Sequence, residues 1–191
     1  AVVIDTDGQV IEDTDDSNTS QRRMPSLQNT NPVSQDVEVA FELDLRPAYA
    51  QVALGGDTLV AIQSDDPDVH ITDVSQIETV YINGPATGSW GWGAELQNDT
   101  TKMLYDDGTH GDLTAGDSIY TRTYTYGPDS SNNTITQECK FGINGYDNEG
   151  GFGNNHYVNI DDAESTDRIR IQWGSINPKF YDMWDYNEGE P

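Results

Sequence analysis

Along residues 37–45 the side chains alternate. Val37, Val39, Phe41, Leu43 and Leu45 are apolar, with Glu38, Glu42 and Asp44 between them. A period of two sends neighbouring side chains to opposite faces, so this stretch predicts a strand with one buried face, ended by Pro47. Residues 118–126 repeat the pattern, with Tyr120, Tyr124 and Tyr126 on one face and threonines on the other. Residues 134–143 put Ile135, Cys139, Phe141 and Ile143 on a common face. Residues 168–173 send Ile169, Ile171 and Trp173 one way and both arginines the other. Shorter strands are expected at 58–63, 77–83 and 102–105. No window of useful length carries a helical 3.6-residue period with caps. Seven to ten short strands joined by Gly, Asn and Asp turns predict an all-β, antiparallel β-sandwich with long acidic loops.

The first 36 residues read differently. Val2, Val3 and Ile4 make a β-prone start, Val10 and Ile11 a second, and an acidic stretch surrounds them. Residues 17–36 are rich in Ser, Asn, Thr, Gln and Pro, the composition of a linker. The sequence therefore divides into an extended N-terminal arm, 1–36, and a single sandwich domain, 37–191, with an aromatic extension around Phe180, Tyr181, Trp184 and Tyr186. The arm is either a disordered tail or an added strand, through Val2, Val3, Ile4, Val10 and Ile11, on a neighbouring subunit.

Charge narrows the partners. The 191 residues carry 34 acidic and 9 basic side chains, a formal charge of −25. So negative a chain repels phosphate and has little with which to release counter-ions, which argues against nucleic acid and anionic membrane surfaces. The apolar runs are only a few residues long, too short for a transmembrane helix or a signal-peptide core. A chain starting at Ala1 fits a mature secreted protein whose leader has been removed, as it does a trimmed one. Asp far exceeds Glu, and Asp and Asn favour turns and ligate hard cations. The acidity fits either calcium-stabilised loops or a hydrated surface adapted to salt.

The densest chemistry lies between Tyr105 and Tyr120, where Asp106, Asp107, Asp112 and Asp117 fall within twelve residues interspersed with glycines. Calcium takes six to eight oxygen ligands, and a carboxylate-plus-carbonyl loop of this length supplies them. The plainer reading is a hairpin whose Asp side chains cap backbone N–H groups. A second oxygen-rich loop holds Asp147, Asn148 and Glu149 and ends near Asp161 and Asp162; Asp5-x-Asp7-Gly8 is a fragment of a similar pattern. For catalysis there is little: His70, His110 and His156 are far apart and form no HExxH pattern, and no nucleophile elbow or phosphate loop occurs. Cys139, the single cysteine, is in phase with core residues and is expected to be a buried thiol. Asn18, Asn98 and Asn132 begin N-x-[ST] triplets. Trp90 and Trp92 lie in a Gly-rich turn. They either plug the sandwich end or expose rings that, with Tyr146 and Phe152, stack on a sugar.

The order of motifs has a likeness. Val39-Ala40-Phe41-Glu42-Leu43-Asp44-Leu45 is followed by Val80-Tyr81-Ile82-Asn83-Gly84 and Trp90, then by Leu104-Tyr105-Asp106-Asp107-Gly108 and Gly116-Asp117-Ser118-Ile119-Tyr120. Cys139-Lys140-Phe141 with Asn144-Gly145 closes the series. This resembles the starch-binding-like and glycogen-binding-like β-sandwich modules of secreted bacterial proteins, over roughly residues 37–173. The acidic run from Asp107 to Asp117 also resembles a loop of bacterial surface Ig-like domains. The resemblance implies an Ig-like sandwich that binds α-glucans through aromatic residues, with Trp90 at one such position. Two functions follow as expectations. One is a non-catalytic secreted or cell-surface structural subunit, a filament or sheath component that polymerises by strand addition from its arm and is stabilised by calcium. The other is an extracellular carbohydrate-binding module, with surface glycans as partners.

Overall fold

The alternating segment at 37–45 forms the centre of the molecule. In the computed structural model, which describes residues 3–4, 10–11, 28–54, 71–149 and 154–176, it is an eight-residue strand. In chain order the strands are β1 (Val3–Ile4), β2 (Val10–Ile11), β3 (Val37–Asp44), β4 (Val80–Asn83), β5 (Met103–Leu104), β6 (Ile119–Tyr126), β7 (Thr136–Ile143), β8 (His156–Asn159) and β9 (Thr166–Gln172). Two short helices are α1 (Arg46–Ala53) and α2 (Ala94–Gln97).

One sheet runs β6-β3-β9 and the other β5-β4-β7-β8, an all-β sandwich. Every pairing within them is antiparallel except β3–β9, which is parallel from Glu38↔Thr166 to Asp44↔Gln172. The alternating faces meet between the sheets: Val37, Val39, Phe41 and Leu43 from one, Val80, Ile82, Cys139, Phe141 and Ile143 from the other, with Trp173 beside them. Burial pushes the Cys139 thiol well above its usual range, so it acts as a small apolar group. At one side the sheets are stitched together, because Tyr105 and Thr121 exchange both backbone hydrogen bonds, at 3.0 and 2.7 Å. On the opposite side, among the described residues, no strand lies outside β8 or β9.

The structure departs from the sequence pattern in four places. β3 buries both faces: Glu42 is 5% and Asp44 7% exposed. Glu42 is clasped by Arg168 and Arg170 of β9, and Asp44 by Arg46. Burial alone would raise the Glu42 pKa, but the hydrogen bonds from Arg168 and Arg170 hold it below the usual carboxylate value. Pro47 does not merely end the strand. It opens α1, since a residue without an N–H suits the first turn of a helix. β8 is an additional strand, pairing Cys139↔His156 through Thr136↔Asn159. Finally, residues 29–33 belong to the sandwich, not to a free arm: Val33 is 1% exposed and donates to Asn133, while Asn29 and Asn31 accept from Thr136 and Ile135. The strand expected at 58–63 lies outside the described residues.

Candidate functional site

The acidic loop joins β5 to β6, and its first Asp organises it. Asp106 Oδ1 accepts from the N–H of Gly116 at 2.7 Å and of Asp117 at 3.1 Å, and Oδ2 from Ser118 at 2.9 Å. One carboxylate thus closes a loop ten to twelve residues long. Asp112, 8% exposed, folds back to accept from Gly108 at 2.7 Å, and Asp117 accepts from Ile119 at 2.9 Å. The backbone turns through left-handed conformations at His110 (φ 56°) and Ser118 (φ 66°), both unusual for residues with a Cβ. This wrapping brings one oxygen each from Asp106, Asp112 and Asp117 within 4.8 Å of one another. Asp107 is not among them. It faces solvent and caps Thr109, whose hydroxyl and amide hold its carboxyl below the usual value. The spacing therefore grouped four Asp where the geometry converges three.

The second oxygen-rich loop does not assemble. Among the described residues the only grouping of three or more His, Cys, Asp or Glu ligand atoms is the one above. Asp147 instead faces Lys140, and Glu149 faces His156 with Nε2–Oε1 2.7 Å. Glu149, wholly buried, also accepts from the backbone of Phe141 at 3.0 Å and Gly174 at 3.3 Å. Asn148 bonds Ile143 through both ends of its amide. Asp161 is exposed and accepts from Ala163. What the sequence grouped as ligands is a buried polar lock holding the loop after β7.

Trp90 and Trp92 lie outside the core, on the outer face of the four-stranded sheet. A Cβ at Gly84 would sit 2.9 Å from the Trp90 ring, and one at Gly142 2.7 Å from Trp92, so two missing side chains let the indoles lie against the sheet. The rings stack with centroids 6.4 Å apart and 27° between planes; Trp90 is 38% exposed. Nearby, Tyr157 of β8 is 39% exposed and donates to Glu138 Oε1 at 2.8 Å, which also accepts from Asn155 at 2.7 Å. Glu138, Asn155 and Tyr157 were not singled out from the sequence. The signal was present in Glu138, a polar residue out of phase with the core positions of β7. Tyr146 is half-buried in the neighbouring turn, and Phe152 lies outside the described residues.

Of the assembly residues, Val3 and Ile4 pair with Ile11 and Val10 in a two-stranded antiparallel ribbon; Val2 lies outside the described residues. The described cations are all engaged. Arg46, Arg168 and Arg170 bind the β3 carboxylates, Lys140 approaches Asp147, and Lys102 and Arg122 donate to backbone carbonyls. Of the two described histidines, His110 meets the Thr109 hydroxyl through Nδ1. His110 stacks on Tyr105 with centroids 3.9 Å apart, and His156 is tied to Glu149.

No protein-family model, curated protein or solved structure matches this chain. What the fold defines is a class, the all-β sandwich.

Proposed function

We propose that the chain is a non-catalytic structural subunit of a secreted or cell-surface assembly, joined to its neighbours by strand addition and stiffened by calcium. The observation that carries the reading is the asymmetry of the sandwich, stitched at Tyr105–Thr121 and, among the described residues, with no strand beyond β8 or β9. An open strand edge offers unpaired N–H and C=O groups, and an extended or hairpin segment of another copy satisfies them. The β1–β2 ribbon, built from two short apolar pairs, is the segment suited to that role. Calcium enters for an electrostatic reason: subunits of charge −25 repel one another unless cations screen or bind them. Asp106, Asp112 and Asp117 are the ligands proposed. Purified protein examined by electron microscopy and light scattering should polymerise with calcium and not with a chelator. Removal of residues 1–27 should leave monomers. A full-length chain that stays monomeric at every calcium concentration defeats this reading.

A second reading, glycan binding, rests on the Trp90–Trp92–Tyr157 face. Exposed rings beside Glu138 and Asn155 offer a stacking surface edged by hydrogen-bonding groups, the composition a pyranose needs. Trp90→Ala should then abolish retention on α-glucans in affinity electrophoresis while leaving the melting temperature nearly unchanged. Equal mobility of variant and parent rules out this face as the site.

A further inference from the structure

The residues of β7 that face away from the core include Lys140, and the chain folds back over it to bring Asp147 alongside. Both side chains are sealed from water, 1% and 5% exposed, and Lys140 Nζ stands 2.5 Å from Asp147 Oδ1. Yet Asp147 Oδ1 has no hydrogen-bond partner. A hydrogen-bonded ammonium meets a carboxylate oxygen along its lone pairs at about 2.7–2.9 Å. Here the nitrogen is closer, and the carboxyl carbon lies one C–O bond beyond the oxygen it touches.

Burial favours the uncharged form of Asp147. Desolvation raises the Asp147 pKa, with the nearby Glu149 charge adding to it and Lys140 acting against it. Moving a buried pair from ammonium–carboxylate to amine–carboxylic acid needs only one proton to cross the short contact, and a dry interior penalises both ions. An amine against a carboxylic acid is the pair from which an amide forms. Such fixed contact is equivalent to effective molarities of about 10⁵–10⁸ M, enough to drive a condensation that bulk water would reverse.

We propose that Lys140 and Asp147 are joined by an intramolecular amide bond that the fold itself forms. The Nζ lone pair attacks Cγ and a C–N bond forms; the C–O bond to the acid hydroxyl breaks, and that hydroxyl leaves as water with one amine proton. No oxidant, reductant or activating group is consumed. Glu149, fixed by Phe141, Gly174 and His156, is a positioning residue that keeps the loop closed over the pair. The bond fastens the loop after β7 to its own strand. It removes one positive and one negative group together, so the net charge does not change and mass is the property that reveals it.

Intact-mass spectrometry of the folded, purified chain should find it one water, about 18 Da, lighter than its sequence. Fragmentation should place the deficit on a branched peptide linking residues 140 and 147. Lys140→Arg and Asp147→Ala should both restore the full mass. A succinimide at Asp107-Gly108 would give the same deficit, but it would survive in both variants. A wild-type chain at its full mass, or a deficit that persists in Lys140→Arg, overturns the proposal.

Discussion

Phe41→Ala should cost about 3–5 kcal/mol of folding stability, the range for emptying a large buried aromatic site. Phe41 is fully buried at the middle of β3, the strand bonded on both sides, by β6 and β9. Its ring packs edge-on to Tyr124 with centroids 6.0 Å apart and tilts against Tyr126 at 6.3 Å. Strands tied on both edges cannot move inward to fill a void, so the cavity should persist and the loss sit at the upper end of the range. Because domains hold only about 5–15 kcal/mol in total, the variant should unfold at far lower urea. Leu113→Ala, at a position 74% exposed, is the control and should lie within about 0.5 kcal/mol of the parent. A loss below about 1 kcal/mol for Phe41→Ala in urea titration would show that this ring is not central to the core.

The second large effect belongs to Asp106. Its carboxylate accepts three backbone N–H groups, and hydrogen bonds to charged acceptors are worth about 1.5–3 kcal/mol each when buried. Asp106 is only half-buried, so solvent screens part of that, and Asp106→Ala should cost about 2–3 kcal/mol in all. This part of the loss reflects loop closure and should be equal in calcium and in chelator. The cation contribution is separable through Asp112. Three carboxylates a few ångströms apart repel by about 1 kcal/mol per pair even in bulk water, a cost a bound cation removes. The parent should therefore melt higher with calcium than in chelator at constant ionic strength, by linkage, and Asp112→Asn should lose that gain. A parent whose melting temperature ignores calcium reduces the loop to backbone capping.

Local pattern carried the strands, and distant partners account for much of what it missed. The alternation in β3, β6, β7 and β9 was readable because their side chains obey a period of two. Glu42 and Asp44 looked like a solvent face, since nothing in 37–45 foretells Arg168 and Arg170 arriving in parallel some 126 residues later. α1 was hidden by its brevity and by Pro47, which stops a strand as readily as it starts a helix. In the acidic loop Asp106, Asp112 and Asp117 converge. Asp107 fell out because its nearest donors are its own neighbours at Thr109. Asp147 and Glu149 read as ligands because the sequence gives no sign that Lys140 and His156 stand opposite them. The position of the tryptophans depends on Gly84 and Gly142, whose missing side chains matter only once β4 and β7 lie side by side.

The parallel pairing of β3 with β9 has a mechanical side. Their starts, Glu38 and Thr166, lie at one end of the ladder, and Asp44 and Gln172 at the other. A pull exerted between the chain entering β3 and the chain leaving β9 would draw the two strands past each other lengthwise. The ladder bonds would then bear load together in shear, in contrast to a hairpin, which unzips one bond at a time. Tension applied end to end would meet the domain in its most resistant direction.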